Sequence, residues 1–160
     1  MQRLIDLTHS TKRAPAPTLV RASLPIDQIP LDALITLATV IDLTDRQNPD
    51  AITRRDLSRF GVAGIVGCIL RTDWCDRCIS APILSVDAAA YLLEGGVRTI
   101  ASDFPIADAA ADLLLTNNCV LVHCLSNLAS LRKPIVRLVA LPLKLEDTFT
   151  AEARVIAMEE

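Results

Sequence analysis

The chain has 160 residues, of which 51% are hydrophobic and only 3% aromatic, so alanine, valine, isoleucine and leucine must fill its core. This length suits a single domain over residues 1–160. A net charge of −3 argues against a basic surface for nucleic acid. The longest apolar runs are far shorter than the roughly 20 residues of a membrane helix. The N-terminus has no signal-like apolar segment, so we expect a cytoplasmic protein with no nucleic-acid or membrane partner.

Apolar runs rich in β-branched residues predict eight strands, separated by turn signals and helical periodicity. The predicted strands span residues 4–8, 18–24, 35–43, 64–71, 97–102, 119–124, 135–141 and 153–158. The predicted helices span residues 53–61, 85–96 and 105–117, with one further helical turn over 126–131. Thr53 and Ser85 are the expected caps of the first two helices. Strand–helix–strand alternation from residue 64 to 124 indicates a parallel sheet buried on both faces, whereas the first and last strands suggest mixed pairing.

The five cysteines suggest no disulfide framework, because their number is odd and their spacing irregular. Cys68, Cys119 and Cys124 lie in or beside apolar strands, where a reduced cysteine is usually a small core residue. Cys75 and Cys78 form a single C-x-x-C pair. Zinc-finger spacing would require a second pair, so this signal is weak.

The usual catalytic and nucleotide-binding motifs are absent from the sequence. The glycines of GVAGIVG (61–67) precede a strand rather than a helix, which argues against a nucleotide site. There is no G-x-S-x-G and no H-E-x-x-H. His123 and Cys124 are neighbours on a predicted strand and should point to opposite faces, so a Cys–His dyad is not expected.

Seven segments match a known pattern in order along nearly the whole chain. They are IDLTH (5–9), IDQIPLDAL (26–34) with TVIDL (39–43), AITRRDL (51–57), GCILRTDW (67–74), VDAAAYLLEGGVRTIASDFPIAD (86–108), LVHCLSNLASL (121–131) and LPLKLEDTFTAEARVIAM (141–158). Together they resemble the cyclase family of metal-dependent hydrolases, which includes kynurenine formamidase and isatin hydrolase. The resemblance implies an α/β fold, a swivelling β/β/α domain with a mixed, partly parallel sheet and flanking helices.

The departures from the family pattern fall on the residues that do its chemistry. The family binds zinc or manganese chiefly through H-x-G-T-H-x-D, but the corresponding segment, residues 10–25, contains no histidine or aspartate. A later family histidine falls on Ala111, and the glutamate of the family's E-N-L falls on His123.

His123 is the main candidate site residue, with two interpretations. It is either a strand-end histidine satisfied by a hydrogen bond, or a ligand or general base in a repurposed cleft. The carboxyl ends of parallel strands meet at one edge of a sheet, so Cys75, Cys78 and His123 could form a relocated zinc site. A redox role for the cysteine pair is less favoured, because its surroundings indicate a loop.

Other polar residues near the predicted strand ends have ordinary structural explanations. Arg71, Asp73 and Trp74 suit an ion pair and a packed ring as well as ligand contacts. Asp103 and Asp108 flank a helix start and suit capping. His9 ends the first strand and is expected to be structural or exposed.

The leading functional hypothesis is a degenerate cyclase-family protein that has lost metal-dependent hydrolysis and acts by binding or assembly. We expect no cofactor, with zinc or manganese only if a relocated site exists. The expected partners are a small amide-like ligand and further copies of the chain in a homo-oligomer. One alternative is an arylformamidase-like hydrolase of a C–N bond in a small formyl or cyclic amide. Another is a zinc-stabilised binding module.

Overall fold

The computed structural model describes residues 2–9, 16–74 and 80–160. All eight predicted strands are confirmed, and a short pair, β4 and β6, was not predicted. The strands are β1 Arg3–Asp6, β2 Leu19–Arg21, β3 Ile35–Asp42, β4 Ala51–Ile52, β5 Gly67–Arg71, β6 Ile83–Leu84, β7 Thr99–Ser102, β8 Val120–His123, β9 Ile135–Pro142 and β10 Thr150–Glu159. The helices are α1 Leu31–Leu34, α2 Arg54–Ser58, α3 Val86–Glu94 and α4 Asp108–Thr116, with 3-10 turns at Ile26–Gln28 and Leu128–Ser130.

The main sheet is mixed, and its parallel part is the predicted one. Strands β3, β5, β7 and β8 are parallel neighbours in that order. The remaining strands pair antiparallel, with β2 against β8 and β9 against β3. The expectation of a mixed, partly parallel sheet with flanking helices is therefore confirmed.

The sheet closes on itself, which the sequence did not predict. Strand β10 pairs with β2 through residues 150–152 on one side and with β9 through residues 153–158 on the other. Seven strands therefore form a closed barrel in the order β10, β2, β8, β7, β5, β3, β9. β1 pairs with residues 156–159 at the end of β10, on the same edge of β10 as β2. Closure leaves no unpaired edge between β2 and β9.

Two hydrophobic cores lie on the two sides of the parallel strands. Alternate residues of β8 show the division, since Val120 and Val122 belong to the core inside the barrel while Leu121 packs in the core beneath the helices. The helix-side core also contains Cys68 and Cys119. Burial raises the pKa of both thiols, so they remain protonated core residues, as expected.

The caps predicted for the first two helices are confirmed, but the predicted start of the third helix is not. The Ser85 hydroxyl accepts the Ala88 N–H, and the Asp56 carboxylate accepts the Thr53 N–H at 2.8 Å. The third helix was predicted to begin near Pro105, which is wrong, because α4 begins at Asp108. The segment before it is held extended by a hydrogen bond from the Ile106 N–H to His123 Nδ1 at 2.8 Å.

None of the helices in the described ranges is long and apolar enough to cross a bilayer.

Candidate functional site

Polar side chains gather where the four parallel strands end. Asp42 ends β3, Arg71 ends β5, Asp103 follows β7 directly and His123 ends β8. Because parallel strands bring their carboxyl ends to one edge, these residues come from distant parts of the sequence to one rim of the barrel. This rim is where α/β proteins commonly place their sites, and we call it the carboxyl rim.

Asp103 connects two neighbouring strand ends at the carboxyl rim. Its carboxylate accepts the Thr72 hydroxyl at 2.7 Å and the backbone N–H groups of Thr72 and Asp73 at 2.8 and 2.6 Å. Burial raises the pKa of Asp103, and the three hydrogen bonds oppose that rise. The prediction that Asp103 caps a helix is wrong, because its carboxylate instead joins the end of β7 to the end of β5.

Arg71 forms a bidentate ion pair beside Asp103. Its guanidinium donates to both carboxylate oxygens of Asp73, at 2.9 and 2.7 Å, and to Asp42 at 3.2 Å. The Trp74 indole N–H donates to the Asp103 carbonyl. These contacts match the structural alternative predicted for Arg71, Asp73 and Trp74, an ion pair and an anchored ring.

His123 faces the helices rather than the barrel interior. Its Nδ1 accepts the Ile106 N–H, so the proton of the neutral ring resides on Nε2. Nε2 is buried and has no hydrogen-bond partner among the described residues. Burial, aided by the charge of Arg21, lowers the pKa of His123 to about 4. The ring is therefore neutral near pH 7.

His9 lies at the carboxyl rim, which sequence reasoning missed. It lines a cavity of about 40 Å³ together with Asp73 and Asp103. His9 also lines a separate cavity of about 290 Å³, to which Thr18 contributes. The Thr18 hydroxyl accepts the His9 N–H at 3.0 Å and donates to the Cys124 carbonyl at 2.9 Å. The sequence feature that could have indicated this location is the position of His9 directly after the first predicted strand.

Three non-glycine residues of the carboxyl rim have left-handed backbone conformations. Asp73, Cys124 and Asn127 have φ angles of 54°, 57° and 59°. Asparagine and aspartate adopt this conformation more readily than cysteine does.

A family model described as "Putative cyclase" matches residues 5–109 of the chain. The protein belongs to the cyclase family. A search of curated proteins found no match.

Solved structures share the fold over the whole chain. A predicted metal-dependent hydrolase from Bacillus stearothermophilus has a TM-score of 0.83 at 21% identity and covers 100% of both chains. Isatin hydrolase A from Labrenzia aggregata, bound to benzyl benzoate, has a TM-score of 0.84 at 20% identity over 98% of this chain and 93% of its own. Isatin hydrolase A from Ralstonia solanacearum has a TM-score of 0.82 at 18% identity, covering 99% of this chain and 92% of its own. The fold is thus that of the family and is related to metal-dependent hydrolases.

The described residues do not fit the metal ion that the family implies. No three histidine, cysteine, aspartate or glutamate side chains within residues 2–9, 16–74 and 80–160 are arranged to hold an ion. At the inherited positions, Ala111 is a buried apolar residue and His123 Nδ1 already accepts a backbone N–H. Cys75 and Cys78 lie outside the described residues, so their zinc site with His123 stays a prediction, as does a catalytic role for His123.

Proposed function

We propose that this protein keeps the cyclase scaffold but has lost metal-dependent hydrolysis, and that it acts by binding or assembly. The proposal rests on the side chains found at the positions where family members bind their metal. His123 Nδ1 accepts the Ile106 N–H, and Ala111 has no ligand atom. A catalytic zinc site needs about three protein ligands and an open position, and these positions supply at most one.

The acidic residues of the carboxyl rim support the same proposal. The Asp103 carboxylate already accepts three hydrogen bonds from Thr72 and Asp73, and Asp73 is held by Arg71. Carboxylates engaged in this way contribute to stability and would have to exchange those bonds for metal coordination. We also infer that residues 1–160 form one domain of the swivelling β/β/α type, since the match to related structures runs over the whole chain.

Metal analysis combined with an activity screen tests the loss of hydrolysis. The purified protein should contain far less than one equivalent of zinc or manganese after incubation with either metal and desalting. It should show no turnover of isatin or of an aryl formamide above buffer. Isatin hydrolase A from Labrenzia aggregata serves as the positive control. Stoichiometric metal together with turnover would overturn the proposal.

A second candidate function is hydrolysis of a C–N bond with His123 as general base. The buried Nε2–H of His123 favours it, because this group has no hydrogen-bond partner among the described residues and could donate to a ligand. Action as a base would require Nδ1 to release the Ile106 N–H, because Nε2 carries the proton of the neutral ring. Against it, a base whose pKa is about 4 accepts a proton poorly at neutral pH. If any activity is found, His123→Ala should abolish it.

A zinc-stabilised module built on Cys75 and Cys78 would instead lose thermal stability on addition of a chelator.

For assembly, we propose that a second copy of the chain covers one outer face of the barrel. We call this the open face; it is the outward side of β1, β10, β9 and β3. Cross-strand pairing places Leu4 beside Met158, Met158 beside Arg137, and Arg137 beside Leu37. The next row contains Asp6 at the edge, followed by Ile156, Val139 and Ile35. Leu4, Leu37 and Ile135 are 62%, 56% and 56% exposed, so the described residues leave this apolar surface uncovered.

The size and shape of the open face suit a symmetric dimer. Four strands about 4.8 Å apart and about five residues long give a footprint of roughly 300 Å² in plan. That is enough for the apolar centre of a standard interface, which buries about 800 Å² per partner including its polar rim. Two such sheet faces can pack on each other as in a sandwich, with the same residues contributed by both copies. Arg137, half-buried in the middle of the face, belongs to a residue type that is enriched at interfaces.

A further inference from the structure

A further cavity lies at the end of the barrel opposite to the carboxyl rim. Its volume is about 290 Å³. It is formed where β5, β7 and β8 begin, at Val66, Arg98 and Asn118, and by the segment around α1. This is the small end of the range for ligand pockets, which runs from about 300 to 1,000 Å³. It shares no lining residue with the cavities beside His9.

The floor of this cavity is apolar and its polar atoms are already bonded within the protein. Ala22, Ile29 and Val120 are buried around it. The Thr99 hydroxyl donates to the Ala33 carbonyl at 2.9 Å, and the Cys119 thiol donates to the Val97 carbonyl at 3.7 Å. A ligand would therefore meet hydrocarbon at the floor, without breaking existing hydrogen bonds.

The rim of the cavity carries two opposite charges that do not pair with each other. Arg98 donates one hydrogen bond, from Nη1 to the Val97 carbonyl at 3.0 Å, and forms no ion pair within the described part of the chain. Asp32, on α1, likewise has no ion pair or hydrogen bond among those residues. Asn118 adds an amide to the same rim, and its Oδ1 accepts the Ser23 hydroxyl at 3.2 Å. The Asn118 amide N–H₂ donates to no residue of the described ranges and is available as a donor.

We propose that this cavity binds a small zwitterion with an apolar body, specifically an α-amino acid with an apolar side chain. The carboxylate would pair with Arg98 and the Asn118 amide, since guanidinium forks suit planar carboxylates. The ammonium would pair with Asp32. The side chain would enter the apolar floor. An apolar acid alone would leave Asp32 unpaired, and an apolar amine would leave Arg98 unpaired, so a ligand with both charges fits the rim best.

Calorimetric titration with four probes tests the ligand class. The probes are L-leucine, L-phenylalanine, 4-methylpentanoate, which lacks the ammonium group of leucine, and 3-methylbutylamine, which lacks its carboxylate. Saturable binding of at least one amino acid is expected. Each single-charge analogue should bind at least tenfold more weakly than leucine. Absence of saturable binding for both amino acids at millimolar concentration would overturn the proposal, and so would equal affinity for leucine and 4-methylpentanoate.

Matched variants place the binding in the cavity. Arg98→Gln and Asp32→Asn should each weaken amino-acid binding at least tenfold, and Ala33→Met should obstruct the floor while keeping both charges. Arg55→Gln and Asp112→Asn, at exposed helix positions outside this cavity, are the controls. Unchanged affinity in Arg98→Gln or in Asp32→Asn would refute the site. Circular dichroism confirms that each variant is folded. The result is independent of metal content, so it can fail or succeed separately from the proposed loss of hydrolysis.

Discussion

The burial of His123 makes a specific prediction about pH. In the folded protein its pKa is about 4, whereas an exposed histidine titrates near 6.5. Between these two pH values the unfolded chain binds a proton that the folded chain does not, so the free energy of unfolding falls as the pH is lowered from 6.5 towards 4. A difference of this size corresponds to roughly 3 kcal/mol.

The variant His123→Asn measures that contribution. The asparagine oxygen can accept the Ile106 N–H in place of Nδ1, and the side chain does not titrate. Urea unfolding followed by circular dichroism at pH 7, 5.5 and 4.5 should give a much shallower loss of stability in the variant than in the wild type. His9→Asn, at the half-buried second histidine, is the matched control. Equal pH slopes for His123→Asn and the wild type would contradict the assignment.

Individual residues at the carboxyl rim were only partly predictable from the sequence. The ion pair of Arg71 with Asp73 was one of two predicted alternatives, because the two residues are close in sequence. The role of Asp103 was mispredicted, because its partners lie about 30 positions earlier on a neighbouring strand. The orientation of His123 towards the helices also depends on packing, and sequence alone left its role open.

At the scale of the elements, Asp103 tests how the ends of β5 and β7 are held together. Asp103→Ala would leave the Thr72 N–H, the Thr72 hydroxyl and the Asp73 N–H without their acceptor, at a cost of about 3–5 kcal/mol. Asp103→Asn should cost about 1 kcal/mol or less. Its amide oxygen can accept both backbone N–H groups, and its N–H₂ can donate to the Thr72 hydroxyl. Burial already disfavours the charge at this position.

Thermal and urea unfolding at pH 7 distinguishes these variants. Asp112→Ala, at an exposed position on α4, should change the free energy of unfolding by less than about 0.5 kcal/mol. If Asp103→Asn is as unstable as Asp103→Ala, the negative charge itself is required, and the structural role assigned to this carboxylate is wrong.

The strands and helices themselves were largely predictable, but their ends were not. Hydrophobic periodicity and caps located α3, because Ser85 and Gly95 mark its boundaries locally. The start of α4 was misplaced, because the bond between Ile106 and His123 keeps the preceding segment extended. Such a bond joins residues on different elements and leaves no trace in local composition.

At the scale of the whole molecule, barrel closure was the main feature that sequence reasoning could not predict. Closure depends on β10 pairing with β2 and with β9, which come from opposite ends of the chain. The alternation of side-chain types along β10 indicates a strand with two different faces, but it does not identify the strands that pair with β10. Closure also fixes the open face, because it turns the outward side chains of β10, β9 and β3 to one side of the barrel.

The open face predicts the oligomeric state. Light scattering after size-exclusion chromatography should give a dimer or a higher oligomer at micromolar concentration. Leu37→Glu should shift the protein to monomers, because it places a charge among apolar side chains that a second copy would desolvate. Ile83→Glu, at a position that is 64% exposed on β6 and outside the open face, should leave the oligomer intact. A wild-type monomer, or equal dissociation by both variants, would contradict assembly through this face. Unchanged melting curves of the two variants would show that any dissociation does not come from unfolding.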